Sequence, residues 1–396
     1  MYHYNELINK YGSPLYVYDL NKLENAYTLL KQSLPSNSII YYSLKANPNI
    51  EITRELVKLG CYAEVSSKKE LNIALKAGIN AEKCLYTGPG KTYDEILFAV
   101  NNGVIHFSIE SMFELDIMYA ISIREEIHLR ITLRINPKEQ SIKASINMTG
   151  VSSQFGIEEE ELKEDILQKF KSDYLLIEGI HIYNGSNFGS SNAVLENFKS
   201  AIDSVKRIQK KIGIKLKFVN LGGGFSAPYA TEDKLSNYQD IRLPLQAYID
   251  DKFPKNTSIA FESGRYLAAT SGVLIGTVLN FKKSKGKYFC IVDFGINNLG
   301  GMSGLKRLPF KNIDIIPLVK KKGEKIEVSL VGPLCTPLDY IDRKIAVPRF
   351  TRGDRFYIPN VGAYGLTASL LGFLGRDIPK EIIIKNNKIC VTQWEV

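Results

Sequence analysis

Between residues 38 and 267, short apolar, β-branched runs alternate with helix-length, charge-rich stretches. Eight runs stand out, at 38–46, 60–67, 83–88, 105–110, 128–137, 177–185, 217–224 and 258–267. Strands that alternate with helical patterns make parallel βα units, and eight of them predict a closed (β/α)8 TIM barrel. The spacers fit this reading. Residues 51–59 set Ile52, Leu56, Val57 and Leu59 on one helical face, and residues 68–77 repeat the pattern before Gly78, a C-cap signal.

After about residue 268 the texture becomes short strands and turn-rich joints, as at 273–279, 288–292 and 325–330, which predicts an all-β domain. Leu15, Tyr16, Val17 and Tyr18 form one further strand-like run ahead of the barrel. The expected division is therefore 1–24 as an N-terminal segment contributing to the β domain, 25–267 as the barrel, and 268–396 as the C-terminal β domain.

Composition narrows the classes. With 396 residues, 44% hydrophobic and 23% charged, the chain can bury two cores and needs no disorder. Five cysteines, odd in number and without a CxxC pair, argue against a disulfide scaffold or zinc knuckle and for a reducing compartment. The first residues include Glu6 and no apolar leader, and no uncharged run of membrane-spanning length occurs, so a cytoplasmic address is expected. The net charge of +9 comes from lysines scattered among acids, without the aromatic interleaving of a nucleic-acid surface. The densest basic run, Lys320 to Lys322, stands beside a glycine and reads as a hairpin turn or a docking site for an acidic protein.

Candidate chemistry gathers where barrel strands end. Lys45 closes the run Ile39-Ile40-Tyr41-Tyr42-Ser43-Leu44; a lysine in an apolar setting loses its proton easily and makes a Schiff-base nucleophile, while the bland reading is a charge that snorkels out. Glu64 ends run two, Tyr183 to Ser186 run six, Gly222 to Gly224 run seven, and Glu262 to Arg265 run eight. The triple glycine is either a tight turn or an anion cradle, and with Ser186 and Arg265 it forms a phosphate-type donor set. A phosphate site beside a strand-end lysine suggests pyridoxal 5'-phosphate, with Glu262 as partner of the pyridine nitrogen or, alternatively, as half of an ion pair with Arg265. The four histidines fall in the N-terminal segment or in strand runs, so a histidine-based triad is not expected. No metal set is expected.

Six ordered motifs carry a resemblance: residues 42–47 (YSLKAN), 179–186 (GIHIYNGS), 221–225 (LGGGF), 262–265 (ESGR), 332–335 (GPLC) and 362–365 (GAYG). Together they resemble the fold-type III pyridoxal-phosphate decarboxylases, the diaminopimelate and ornithine decarboxylase family, with alanine racemase more distant. The resemblance implies a barrel followed by a β domain, and a homodimer with shared active sites. It implies that Lys45 carries the cofactor, that Glu262 faces its pyridine nitrogen, and that Ser186, Gly224, Arg265 and Tyr364 hold its phosphate, with Glu64, Gly223 and Gly264 beside them. Cys335 would come from the partner subunit as proton donor.

Three departures bear on substrate. Tyr183 stands where those decarboxylases stack a histidine on the cofactor. Thr336 replaces the acid that follows the cysteine and binds a distal amine, leaving Asp339 as a candidate substitute. The Arg-Pro stretch that binds a distal carboxylate is missing after Asn298, where residues 299–304 (LGGMSG) are small. Candidate substrate contacts are thus Thr336, Asp339 and Asn298. Residues 43–47, Ser152 to Gly156, 262–267, 332–337 and 373–375 are similar to a subgroup typified by the butirosin-pathway enzyme acting on glutamate attached to an acyl-carrier protein. A thioester-linked substrate has no free distal charge, and excess lysine suits an acidic carrier. The expectation is an α-decarboxylase of a carrier-linked or distally masked amino acid in specialised, antibiotic-type biosynthesis. Rivals are a diaminopimelate decarboxylase, an amino-acid racemase and a non-catalytic cofactor-binding regulator.

Overall fold

The computed structural model describes residues 4–138, 146–147, 153–300 and 313–394. Ser152 and residues 301–304, which entered the substrate reading, lie outside the described residues. The chain divides into two compact units: Glu24–Ser226 with Ser236–Leu267, and Met1–Leu23 with Ala227–Leu235 and Ala268–Val396.

Strand β1 (Leu15–Asp19) belongs to the second unit. The first unit is built on β2 (Ile39–Ser43), β3 (Tyr62–Val65), β4 (Cys84–Tyr86), β5 (His106–Ile109), β6 (Leu129–Asn136), β7 (Leu175–His181), β8 (Phe218–Asn220) and β9 (Ser258–Ser263). Each pairs in parallel with the next, and β9 returns to β2 with Ala260 opposite Ile39 and Ser263 opposite Tyr42, which closes the barrel. The eight apolar runs are these eight strands, in order. Each strand is shorter than its run, and β7 begins two residues ahead of its own. β2 stops at Ser43, so Lys45 rides on a single 3₁₀ turn (Leu44–Ala46) rather than on the strand.

Polar residues between strand and helix set the barrel rim. Asn49, Ser67, Thr92 and Ser111 each accept a backbone N–H of the following helix, and Thr92 with Glu95 completes a capping box. Each cap is worth about 1 kcal/mol and fixes where the chain turns out of the strand. Inside the barrel, Tyr41, Leu85, Phe218 and Ala260 form an apolar layer, and the buried His106 ring meets Phe218 edge-on at 4.6 Å.

The second unit is a nine-stranded sheet. Its further strands are β10 (Gly272–Ser284), β11 (Lys287–Val292), β12 (Lys325–Val331), β13 (Tyr340–Pro348), β14 (Arg355–Ile358), β15 (Lys380–Lys385) and β16 (Lys388–Gln393), with the two-residue strand Ile316–Pro317 paired to β14. The order is β13-β12-β11-β10-β1-β15-β16, with β14 also on β10. β1 runs antiparallel to β10 and parallel to β15, and Leu15 and Val17 bury against Val273, Ile275, Ile382 and Ile384. Residues Ala227–Leu235 group with this unit, inside the range assigned from sequence to the barrel. Asn360 explains the grouping, because its side-chain amide donates to the carbonyls of Thr231 (2.6 Å) and Asp233 (3.0 Å). Lys320 to Lys322 lie in an irregular link and not in a hairpin, with Lys321 paired to Asp354 at 2.6 Å. No helix among the described residues is long and apolar enough to cross a membrane.

Candidate active site

At the C-terminal ends of the barrel strands the structure brings Lys45, Glu64, Tyr183, Gly222 to Gly224, Glu262 and Gly264 into one neighbourhood. Lys45 donates to Glu64 at 3.1 Å, and its side chain is 51% exposed while that of Glu64 is 2% exposed. Burial opposes ionisation of Glu64. The Lys45 charge and hydrogen bonds from Ser43, Thr87 and Lys45 outweigh it, so the carboxyl sits below its ordinary value. Thr87, at the end of β4, donates to Glu64 at 2.8 Å.

Glu262 shows the opposite balance. It is buried, and burial together with the nearby Glu64 charge pushes its pKa up to about 7 against the pull of Lys45, Arg134 and Asn220. The Asn220 amide donates to it at 2.7 Å, and His181 Nε2 lies 3.4 Å from the same oxygen. Burial first, then neighbouring cations, holds His181 well below its ordinary pKa; the same causes lower His106 to about 3, so both rings are neutral at physiological pH.

The glycines work through missing side chains. A Cβ on Gly223 would stand 2.3 Å from the Glu262 carbonyl oxygen, one on Gly222 2.3 Å from the Tyr183 ring, and one on Gly224 2.7 Å from the Phe188 ring. Only glycine lets β8 pass this close to β9 and lets the Tyr183 ring lie over the loop. Phe188 N–H donates to the Gly224 carbonyl at 2.9 Å, which draws the Ser186 loop to the same place. Gly264 packs on Ala46 and Ser43, so Arg265, first residue of a four-residue helix, starts beside the Lys45 turn.

Several contributors escaped sequence reasoning. Glu110, just after β5, accepts from Arg134 (2.9 Å), Gly88 N–H (3.0 Å) and Gly156 N–H (3.2 Å), and so ties three strand-end segments together. Arg134 then lies 4.7 Å from the Phe155 ring and 6.0 Å from the Tyr183 ring. Behind them Lys91 and Glu114 form a buried pair at 2.5 Å. Glu110 and Thr87 end strand runs just as Glu64 does, so the strand-end rule was the available signal.

The second unit carries the other candidates. Tyr364 adopts φ +56, and its carbonyl accepts from the Tyr229 hydroxyl at 3.3 Å. Cys335 is exposed and Thr336 half-buried. Asn298 is buried, with its carbonyl receiving the Tyr16 hydroxyl at 2.7 Å. Asp339 is tied to its own turn. It is 3% exposed, and its two oxygens accept the backbone N–H groups of Ile296 and Leu334, both at 2.8 Å, which pins the turn.

Comparison with known proteins supplies the family. Residues 20–269 match the pyridoxal-dependent decarboxylase, pyridoxal binding domain. The chain belongs to this decarboxylase family. It is 34% identical to an L-glutamyl-[BtrI acyl-carrier protein] decarboxylase of Niallia circulans, across 96% of this chain and 90% of that one. It is 31% identical to a diaminopimelate decarboxylase of Aquifex aeolicus, across 97% and 89%. The structure of the diaminopimelate decarboxylase from Helicobacter pylori complexed with L-lysine superposes with a TM-score of 0.85 at 29% identity, across 98% of this chain and 95% of that one. The protein is thus a pyridoxal-phosphate-dependent amino-acid decarboxylase. Its barrel mouth fits the cofactor: an accessible amine with a buried counter-ion, a loop that no Cβ could enter, and a buried carboxylate in need of a cationic neighbour.

Proposed function

We propose that this decarboxylase removes the α-carboxylate of an amino acid whose distal group is masked, as in a glutamyl thioester on an acyl-carrier protein. The observation that carries the reading is the turn after Cys335. Thr336 is neutral, and the one carboxylate there, Asp339, is buried with both oxygens engaged by backbone amides. An ammonium brought to this turn would lose its water and gain no charge partner, which costs more than any hydroxyl contact returns. A substrate without a distal charge meets no such penalty.

Named residues then take roles. Lys45 would hold the cofactor, and Glu64, ionised at neutral pH, keeps the amine oriented. Gly224, Ser186 and Arg265 would hold the phosphate; in the second unit, the left-handed backbone of Tyr364 is the kind of strain that persists at ligand clamps. The cofactor, when bound, accepts the electron pair released as the carboxylate leaves. Glu262, oriented by Asn220, would carry or share a proton with the ring nitrogen, as its raised pKa suits. Tyr183 covers one side and excludes water. Cys335, exposed beside Leu338, which is 70% exposed, would return a proton to the α-carbon across a homodimer interface.

The test is to incubate cofactor-loaded protein with diaminopimelate, ornithine, lysine, free glutamate, free aspartate and glutamyl-loaded carrier protein, following CO2 loss by mass spectrometry. Turnover confined to the carrier-linked substrate is expected. Rapid loss of CO2 from diaminopimelate would replace this reading with a lysine-pathway enzyme.

A further inference from the structure

The hairpin joining β10 to β11 concentrates charge on the β unit. Lys282, Lys283, Lys285 and Lys287 fall within six residues, no acid occurs from 279 to 289, and the turn Lys285-Gly286 has φ of +46 and +86, a tight two-residue reversal that thrusts the lysines outward. All four are exposed, and among the described residues none has a carboxylate partner, whereas Lys321 and Lys344 do. Register then decides which side each faces. Lys282 stands opposite Phe289 and Ser284 opposite Lys287, on the same face as Ile291; Ile291 pairs with Val331, and Val331 with Tyr340. Phe289, Ile291, Val331 and Tyr340 thus make a partly exposed apolar row across three strands, and Arg343 stacks 4.1 Å over the Tyr340 ring at its far side.

The row floors a groove of about 370 Å³, which starts at Lys282 and Ser284 and is bounded by the turn Gly332 to Asp339, Thr336 included. From β10 to β13 it crosses three inter-strand steps, about 14 Å. Cations at the entrance, apolar floor along the middle and the Thr336 turn at the end match an acidic carrier protein in order: its acidic face, the phosphodiester at the root of its prosthetic arm, the arm itself, and the thioester. We infer that this groove is the docking lane for an acidic acyl-carrier protein delivering the substrate, an inference that rests on the carrier-linked reading above.

The test uses the full-length, cofactor-loaded enzyme and its K282E/K285E/K287E variant, with glutamyl-loaded carrier protein and a truncated glutamyl thioester of N-acetylcysteamine as substrates. The variant is expected to raise KM for the carrier-linked substrate about tenfold or more at low salt, with kcat and turnover of the truncated thioester unchanged. Equal KM for the carrier-linked substrate in both proteins would overturn the inference, as would a matching loss on the truncated thioester. Fluorescence anisotropy of labelled carrier protein reads the surface separately. Weaker binding to the variant supports the lane even without turnover, and binding unaffected by the charge reversal, or stronger to liposomes or RNA than to carrier, refutes it. Failure of the wild type to turn over either thioester refutes the substrate reading instead.

Discussion

Replacing Gly223 by alanine tests how the glycine loop governs the site. The new methyl carbon would sit 2.3 Å from the Glu262 carbonyl oxygen, about 1.1 Å short of ordinary contact. The obstacle is main chain, so no rotamer change relieves it. β8 and β9 must part, and the first bond to suffer is Glu262 N–H to the Gly222 carbonyl, 2.8 Å in the wild type. Overpacking of this kind costs about 1–3 kcal/mol. At roughly 2–4 °C per kcal/mol for a unit of this size, the cofactor-free melting temperature should fall by several degrees. Displacing Glu262 also moves a cofactor partner, so cofactor affinity, followed by absorbance titration, should fall at least tenfold. Gly90→Ala is the control, because nothing lies within 4 Å of its added carbon. A Gly223→Ala protein with wild-type melting temperature and cofactor affinity would refute the close-approach argument.

Asp339→Ala should strand two buried N–H groups and cost about 1–3 kcal/mol for each, read by urea unfolding; unchanged stability with a raised substrate KM would restore Asp339 as a ligand. Glu262 has a folded pKa raised to about 7 from 4.5, so its contribution to cofactor-free stability is complete below about pH 4.5 and fades as pH rises through 7. Glu262→Gln should flatten that part of the stability–pH curve, and an unchanged curve would contradict the burial argument. Glu64 runs the other way: its lowered pKa stabilises the fold above 4.5, and that support is lost as pH falls through the lowered value, a loss that Glu64→Gln should abolish. Cys335→Ala should bind cofactor normally yet release product on the order of 100-fold more slowly or with misplaced protonation, visible by deuterium incorporation.

The barrel was legible because its strands are buried on both faces, which writes each one as a continuous apolar run. Strand ends then exposed Lys45, Glu64 and Glu262 without further help. What stayed hidden depends on partners remote in sequence. Asn220 matters because β8 lies beside β9, and Glu110 because it collects Arg134 from β6 and Gly88 and Gly156 from two loops. The carboxyl of Asp339 reads as a free acid in sequence, since nothing local announces that Ile296 and Leu334 will consume it. Residues Ala227–Leu235 resemble any barrel loop until Asn360, over a hundred positions later, claims their carbonyls.

The place of β1 in the sheet has a consequence for how the polypeptide is made. Its neighbours are β10 and β15, so one side stays bare until Gly272–Ser284 emerges and the other until Lys380–Lys385 does. At 5–20 residues per second, the second wait lasts roughly 20–70 s. Throughout it Leu15 and Val17 travel on an unpaired edge while the barrel strands behind them can already close. A chain whose synthesis stops short of Lys380 would therefore carry a finished barrel beside an adhesive, half-paired β1.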